Sequence, residues 1–170
     1  MAARNQSALI EKRALNQSMM NTADMARVAI YNYMIGNTDW WLPSQHNVRV
    51  VTSLKELSVK AVPVAYDFDY SGLVNTEYAV PLKNIPIKAV TERYYLGMCY
   101  SEDELGPVIE EFEGLKDEFL QIINDFDLLS KSHQKQMANY IESFFKKRRF
   151  QSSLIVNLNK TCQPSLAAYK

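Results

Sequence analysis

Asp39, His46, Asn47, Asp67 and Asp69 are the residues of this 170-residue chain whose types and spacing could do chemistry together. They fall in one stretch, Ile35 to Gly72, which gathers polar groups beside large apolar ones. An Asn carbonyl with one or two carboxylates is an all-oxygen donor set. Such a set suits a hard cation such as magnesium, which takes few protein ligands and completes its shell with water and phosphate oxygens. Asn47, Asp67 and Asp69 are therefore the candidate metal ligands. Asp39 is a candidate base, or a further ligand. His46 could contribute, but one His beside oxygen donors is a poor zinc pattern.

These residues need an element that brings them together. Val48 to Val51 is short and β-branched, and Val59 to Phe68 alternates in part. Both read as strands, joined by the polar segment Thr52 to Ser58. An antiparallel hairpin would set the residue before its first strand, Asn47, beside the residue after its second, Asp67. In extended chain, Asp67 and Asp69 would project the same way. Upstream, Thr22-Ala23-Asp24 offers a helix start, and Met25, Val28, Ala29, Asn32 and Ile35 follow at helical spacing. Gly36 is the expected stop. That helix would deliver Asn37 to Asp39 into a loop.

Protein kinases order their parts in this way: a catalytic-loop Asp, a following Asn, a short hairpin, then Asp-Phe-Gly. Here Asp39, Asn47 and Asp67-Phe68-Asp69 come in the same order. The Asp39 to Asn47 interval is longer than in the kinase pattern, there is no His-Arg-Asp, and Asp69 stands where that pattern has Gly. The variant resembles the atypical kinase-like family around the spore-coat protein CotH, and more closely an uncharacterised bacterial family related to it. The residues that carry the resemblance are Ile35-Gly36-Asn37-Thr38-Asp39-Trp40, His46-Asn47, Ala65 to Asn75, Tyr78-Ala79-Val80-Pro81 and Val90 to Gly97. It runs from about Met25 to Gly97.

The resemblance implies Asp39 as catalytic base or phosphate-facing carboxylate, Asn47 and Asp67 as ligands of magnesium and contacts to ATP, and Asp69 as a second ligand or a support. It implies the large C-terminal lobe of a kinase-like fold. Family members are longer, and their upstream half supplies a nucleotide-binding lobe. No Gly-rich loop and no strand-borne Lys precedes Met25, so ATP binding is expected to need an upstream lobe or partner chain. The expected function is a magnesium-dependent phosphotransferase with an unassigned phosphoryl acceptor. Two alternatives stand beside it: a non-catalytic kinase-fold interaction module, and a metal-dependent phosphohydrolase using Asp67, Asp69, Asn47 and His46.

The whole chain allows this. Its apolar and charged fractions, 47% and 22%, are those of a globular protein. Nineteen basic residues balance 19 acidic ones, which leaves no field to favour nucleic acid. No apolar run would span a bilayer, and Met1 to Asn5 is no signal peptide. A cytoplasmic location is the expectation from this chain, although a missing upstream segment could carry a signal. Cys99 and Cys162 match no metal or redox motif and read as two reduced thiols. Trp40-Trp41 reads as core, with a wall of the nucleotide site as the alternative.

The remainder reads as helical. Met1 to Asn21 could be a loose helix. Ser71 to Ala89 is irregular, and takes the place of an activation segment or is a loop laid over the helices. Glu92-Arg93 is an anchoring or a solvated ion pair. Ser101 to Glu104 has the form of a capping box and opens a helix that Gly114 interrupts. Leu115 to Phe126 continues the period, and Asp125-Phe126-Asp127 repeats the earlier letters by coincidence. Lys131 to Arg149 is a third helix, with His133 exposed. Its terminal basic run, Lys146 to Arg149, complements the helix dipole or meets a phosphate or nucleic acid. Leu154-Ile155-Val156 is a short strand or packs down, within a mobile tail. The expected fold is α+β, mainly α, organised as 1–24, a kinase-like lobe at 25–150, and a tail at 151–170.

Overall fold

The computed structural model describes residues 7–10, 15–55, 60–146 and 150–163. Among these residues three short strands and five α-helices follow one another. They are β1 (Ser7–Leu9), α1 (Thr22–Ile35), β2 (Val48–Ser53), β3 (Val62–Ala65), α2 (Glu102–Gly114), α3 (Lys116–Asp125), α4 (Lys131–Phe145) and α5 (Phe150–Leu158). A 3-10 turn covers Gln17–Met19. The architecture is α+β and mainly helical, and among the described residues no helix is long and apolar enough to cross a membrane.

Local signals explain most of the elements. Asn21 caps α1 by accepting from the Asp24 amide, and Gly36 ends it in the left-handed conformation, φ 69°. No Cβ would fit at Gly36, because the Tyr140 hydroxyl occupies that space. The capping box at Ser101 and Glu104 is present in full. Gly114 closes α2, and α3 begins two residues later. Pro107 stands inside α2, past its first turn, where its missing N–H leaves the Asp103 carbonyl without that intrahelical partner.

The hairpin forms as expected, with Val48 opposite Ala65 and Val51 opposite Val62. Val48, Val50 and Pro63 face the core, while Arg49, Val62 and Val64 face out. The polar loop is shorter than the sequence suggests, since Thr52 and Ser53 belong to β2. Residues 56–59, the rest of that loop and the start of the expected second strand, lie outside the described set.

Three expectations are corrected. The start of the chain supplies a strand rather than a loose helix: β1 pairs antiparallel with β2, Ser7 opposite Ser53. Leu15, Gln17 and Met20 are buried behind it. Leu154-Ile155-Val156 is helical rather than a strand, and it packs down as the alternative had it: Leu154 and Ile155, with Leu158, sit in the core. The core thus draws residues from both flanks of 25–150. Cys99 and Cys162 are not reduced; they form a disulfide, Cα to Cα 4.8 Å. The packing of α2 against α5 brings the loop before one helix to the loop after the other. α4 ends at Phe145, and Lys147 to Arg149 of the expected basic run lie outside the described residues.

Arg93 is neither of the things expected of it. It makes no ion pair with Glu92, whose Oε1 instead accepts from the Lys88 and Ala89 amides. Its guanidinium donates to Met34 O at 2.8 Å, Ser143 Oγ at 2.9 Å and Tyr140 O at 2.6 Å. It also stacks on the Tyr140 ring at 4.0 Å. Burial lowers its pKa, but the cation is retained because guanidinium titrates far above neutrality. One planar fork thereby ties the end of α1 to α4. Arg93→Lys keeps the charge and loses the fork. We expect it to cost about 2 kcal/mol, read as a lowered urea midpoint with an unchanged slope.

Candidate functional site

Asp39 is held from both sides. A chain of buried amides positions its backbone: Asn32 Nδ2 donates to Val28 O, Asn37 Nδ2 donates to Asn32 Oδ1, and the Asp39 amide donates to Asn37 Oδ1. Asn32 and Asn37 are fully buried. Such groups persist inside a fold only when their hydrogen bonds are made, so this relay has one arrangement. Its trace in the sequence is an Asn at an apolar helical position, followed five residues later by a second Asn.

The carboxylate of Asp39 is engaged at both oxygens. His46 Nε2 lies 2.8 Å from Oδ1, and Asn47 Nδ2 donates to Oδ2 at 2.9 Å and to the Asp39 carbonyl at 2.8 Å. A small bridge between Trp41 and His46 closes the intervening loop and turns His46 back. Trp40 is buried in the core, whereas Trp41 is only partly covered. The expectation of core packing therefore describes the first tryptophan and not the second.

Asn47 and Asp67 meet at the end of the hairpin. The Tyr66 amide donates to Asn47 O at 3.1 Å, which extends the strand register by one step. Both residues have positive φ, 51° for Asn47 and 60° for Asp67. Asn and Asp tolerate this conformation better than other residues with a side chain, yet it remains uncommon. The left-handed turn at Asp67 also changes the reason for the Asp67–Asp69 pairing. Turn geometry brings the two carboxyls together, not the two-residue repeat of an extended strand.

Asp69 is braced. Its Oδ2 accepts from Tyr78 Oη at 2.9 Å, and its carbonyl accepts from Thr76 Oγ1 at 3.1 Å. Phe68, between the two acids, packs edge-on against Tyr31 of α1, with ring centres 5.3 Å apart. Asp67 by contrast is exposed. The neighbouring Asp69 carboxylate pushes its pKa up, followed by desolvation, a hydrogen bond shared with Asp69 and the charge of Asp39; His46 opposes them. The electrostatic signature is negative charge concentrated around one accessible carboxyl.

That donor set fits a divalent cation in its chemistry. Asn47 spends its Nδ2 on Asp39, so Oδ1 is the atom it has for a ligand. A cation would offset the repulsion felt by Asp67. Among the described residues no three His, Cys, Asp or Glu side chains are already gathered around one point. Magnesium typically needs only one or two carboxylates, with waters and substrate phosphates completing the shell.

The second Asp-Phe-Asp, at 125–127, lies where α3 ends, and Gln134 Nε2 donates to the carbonyls of Asn124 and Phe126 there. His133 is exposed and is paired with Ser130. Ser71 to Ala89 has no regular structure. Its start is laid on the end of α1, where Gly72 and Leu73 donate to Gly36 O and Ile35 O. Compared with protein-family models, with curated proteins and with solved structures, the chain matches none.

Proposed function

We propose that this chain is the catalytic-loop and metal-binding part of a kinase-like phosphotransferase. The observation that carries the reading is the convergence of Asp39, Asn47 and Asp67, from two loops, at one end of the hairpin. Asn47 Oδ1 and the Asp67 carboxylate would hold magnesium, and Asp69 lies beside Asp67 with its orientation set by Tyr78. A magnesium ion held there would supply positive charge to offset what develops on the transferring phosphoryl group. Asp39, oriented by His46 and Asn47, receives or directs the proton of the acceptor hydroxyl.

The nucleotide's remaining contacts come from a second lobe or a partner chain. The outer face of the sheet supports this. Leu9, Val62 and Val64 are 52%, 37% and 45% exposed there; Leu9 and Val62 flank Val51 at the end of the sheet away from Asn47, and Val64 lies nearer the site, opposite Arg49. Apolar side chains left to water around Arg49 on this face are a natural seat for another element.

One observation favours the non-catalytic alternative. Both oxygens of Asp39 already accept hydrogen bonds within its own loop, and an acid so used can serve as a staple alone. The two readings part at Asp39→Asn, assayed with the nucleotide-binding lobe or partner present. On the catalytic reading it lowers phosphoryl transfer about 1000-fold while MgATP affinity, measured by calorimetry, is unchanged. A variant that transfers at the parent rate would remove Asp39 from the mechanism. Hydrolysis of p-nitrophenyl phosphate without nucleotide would instead favour a phosphohydrolase.

A further inference from the structure

A cavity of about 810 Å³ opens beside Asp39. Its lining is unlike the acidic hairpin end. Trp41 and Tyr94, both partly covered, supply aromatic wall, with Leu82, Ile85 and Leu96 beside them. Its polar groups are almost all neutral: the carboxamides of Asn84 and Gln163 and the hydroxyls of Thr38 and Thr161. Apart from Asp39 and His46, no Asp, Glu, Lys, Arg or His is among its described lining residues.

Gln163 is informative. Its backbone is fixed, since its amide donates to Gly97 O at 2.9 Å and its carbonyl accepts from the Cys99 amide at 3.2 Å. The adjacent Cys162 is covalently bound to Cys99. Yet its side-chain oxygen is buried and accepts no hydrogen bond. A buried acceptor left unmade is costly, and a small turn of the Gln163 carboxamide toward the cavity would let a donor from a bound molecule satisfy it.

From these features we infer that the cavity is a subsite for a neutral polyhydroxylated ring, a sugar or cyclitol, one of whose hydroxyls meets Asp39. Aromatic faces pack against the apolar C–H face of such a ring. Carboxamides and threonine hydroxyls both donate and accept, as ring hydroxyls require. Among the described lining residues His46 is the one basic group, and it is paired with Asp39, which disfavours phosphorylated or carboxylated acceptors. The transfer step rests on the phosphotransferase reading; the binding does not. In that step the acceptor oxygen bonds to the γ-phosphorus of a nucleoside triphosphate. The bond from that phosphorus to the β–γ bridging oxygen breaks, and the diphosphate leaves with its electron pair. The hydroxyl proton passes to the Asp39 carboxylate.

Binding is tested on the full chain by NMR titration with methyl β-D-glucopyranoside and myo-inositol. Glucuronate, glucosamine and N-acetylserine amide serve as anionic, cationic and peptide-like comparators. We expect saturable binding of at least one neutral ring, weakened about tenfold or more by Trp41→Ala and measurably by Asn84→Ala, an exposed position whose change leaves the core alone. No binding of either neutral ring, tighter binding of any comparator, or binding indifferent to both substitutions would overturn the inference. Transfer is scored separately, with MgATP and the nucleotide-binding lobe or partner. Neutral-ring binding without transfer upholds the subsite and counts against the phosphotransferase reading. Transfer to another acceptor, with no ring bound, does the reverse.

Discussion

Asp67→Asn should abolish magnesium-dependent nucleotide binding while leaving the helices folded. Asn is the informative replacement because of the backbone. Asp67 has φ 60°, a conformation that Asn tolerates and that would cost Ala about 1 kcal/mol or more. The Asn variant therefore removes the charge without adding strain. Asp67 is exposed, so no core contact is lost with it. Its carboxyl already sits against Asp69 and near Asp39, and one negative charge fewer relieves repulsion in the free protein. The apo variant should consequently be no less stable than the parent. Calorimetric titration of MgATP should show at least a hundredfold loss of affinity, and circular dichroism should be unchanged. Affinity within threefold of the parent would remove Asp67 from the site. The parent and the variant are both titrated with any lobe or partner that completes the nucleotide site.

Removing the disulfide should have the largest effect on stability. Cys99 and Cys162 are 63 positions apart, and the bond closes a loop containing α2, α3, α4 and α5. The chain-entropy estimate for a loop of that size is about 4 kcal/mol. In a chain of this length the double variant Cys99→Ser, Cys162→Ser should melt roughly 10 °C lower. Reduction with dithiothreitol should reproduce the shift, and adding it to the variant should do nothing further. Equal melting temperatures for parent and variant would mean that the bond contributes nothing. The bond also bears on compartment, because disulfides persist in oxidising surroundings and are rare in reducing ones. Thiol titration of protein isolated without reductant would show whether the two cysteines are paired in the cell.

The hairpin was legible because its evidence is local. β-branched runs, a polar interval and turn-forming ends all lie in the one short stretch from Asn47 to Asp67, and the antiparallel rule then places those two residues near each other. The helices were legible for the same reason, from apolar period, caps and Gly36 or Gly114 at their ends. What escaped were pairings between distant segments. β1 is three residues long and has no periodicity of its own; it exists because β2 offers an edge. α5 shows only an apolar run, and short apolar runs read equally as strand or helix. Arg93 looks like any surface cation until the carbonyls of Met34 and Tyr140 are seen to converge on it.

By itself, then, the sequence determined the residue types of the candidate site, their order, and the hairpin and helices that carry them. Each of those follows from contacts within a few residues, where backbone geometry and side-chain period leave few choices. Tertiary structure alone decided the rest. It set Asp39 through the buried Asn32–Asn37 relay and turned His46 onto its carboxylate. It put Asp67 in a left-handed turn beside Asp69, and joined Cys99 to Cys162, which lines the aromatic cavity beside Asp39. Those outcomes depend on how whole helices pack, and packing is a property of the assembled core rather than of any one stretch of chain.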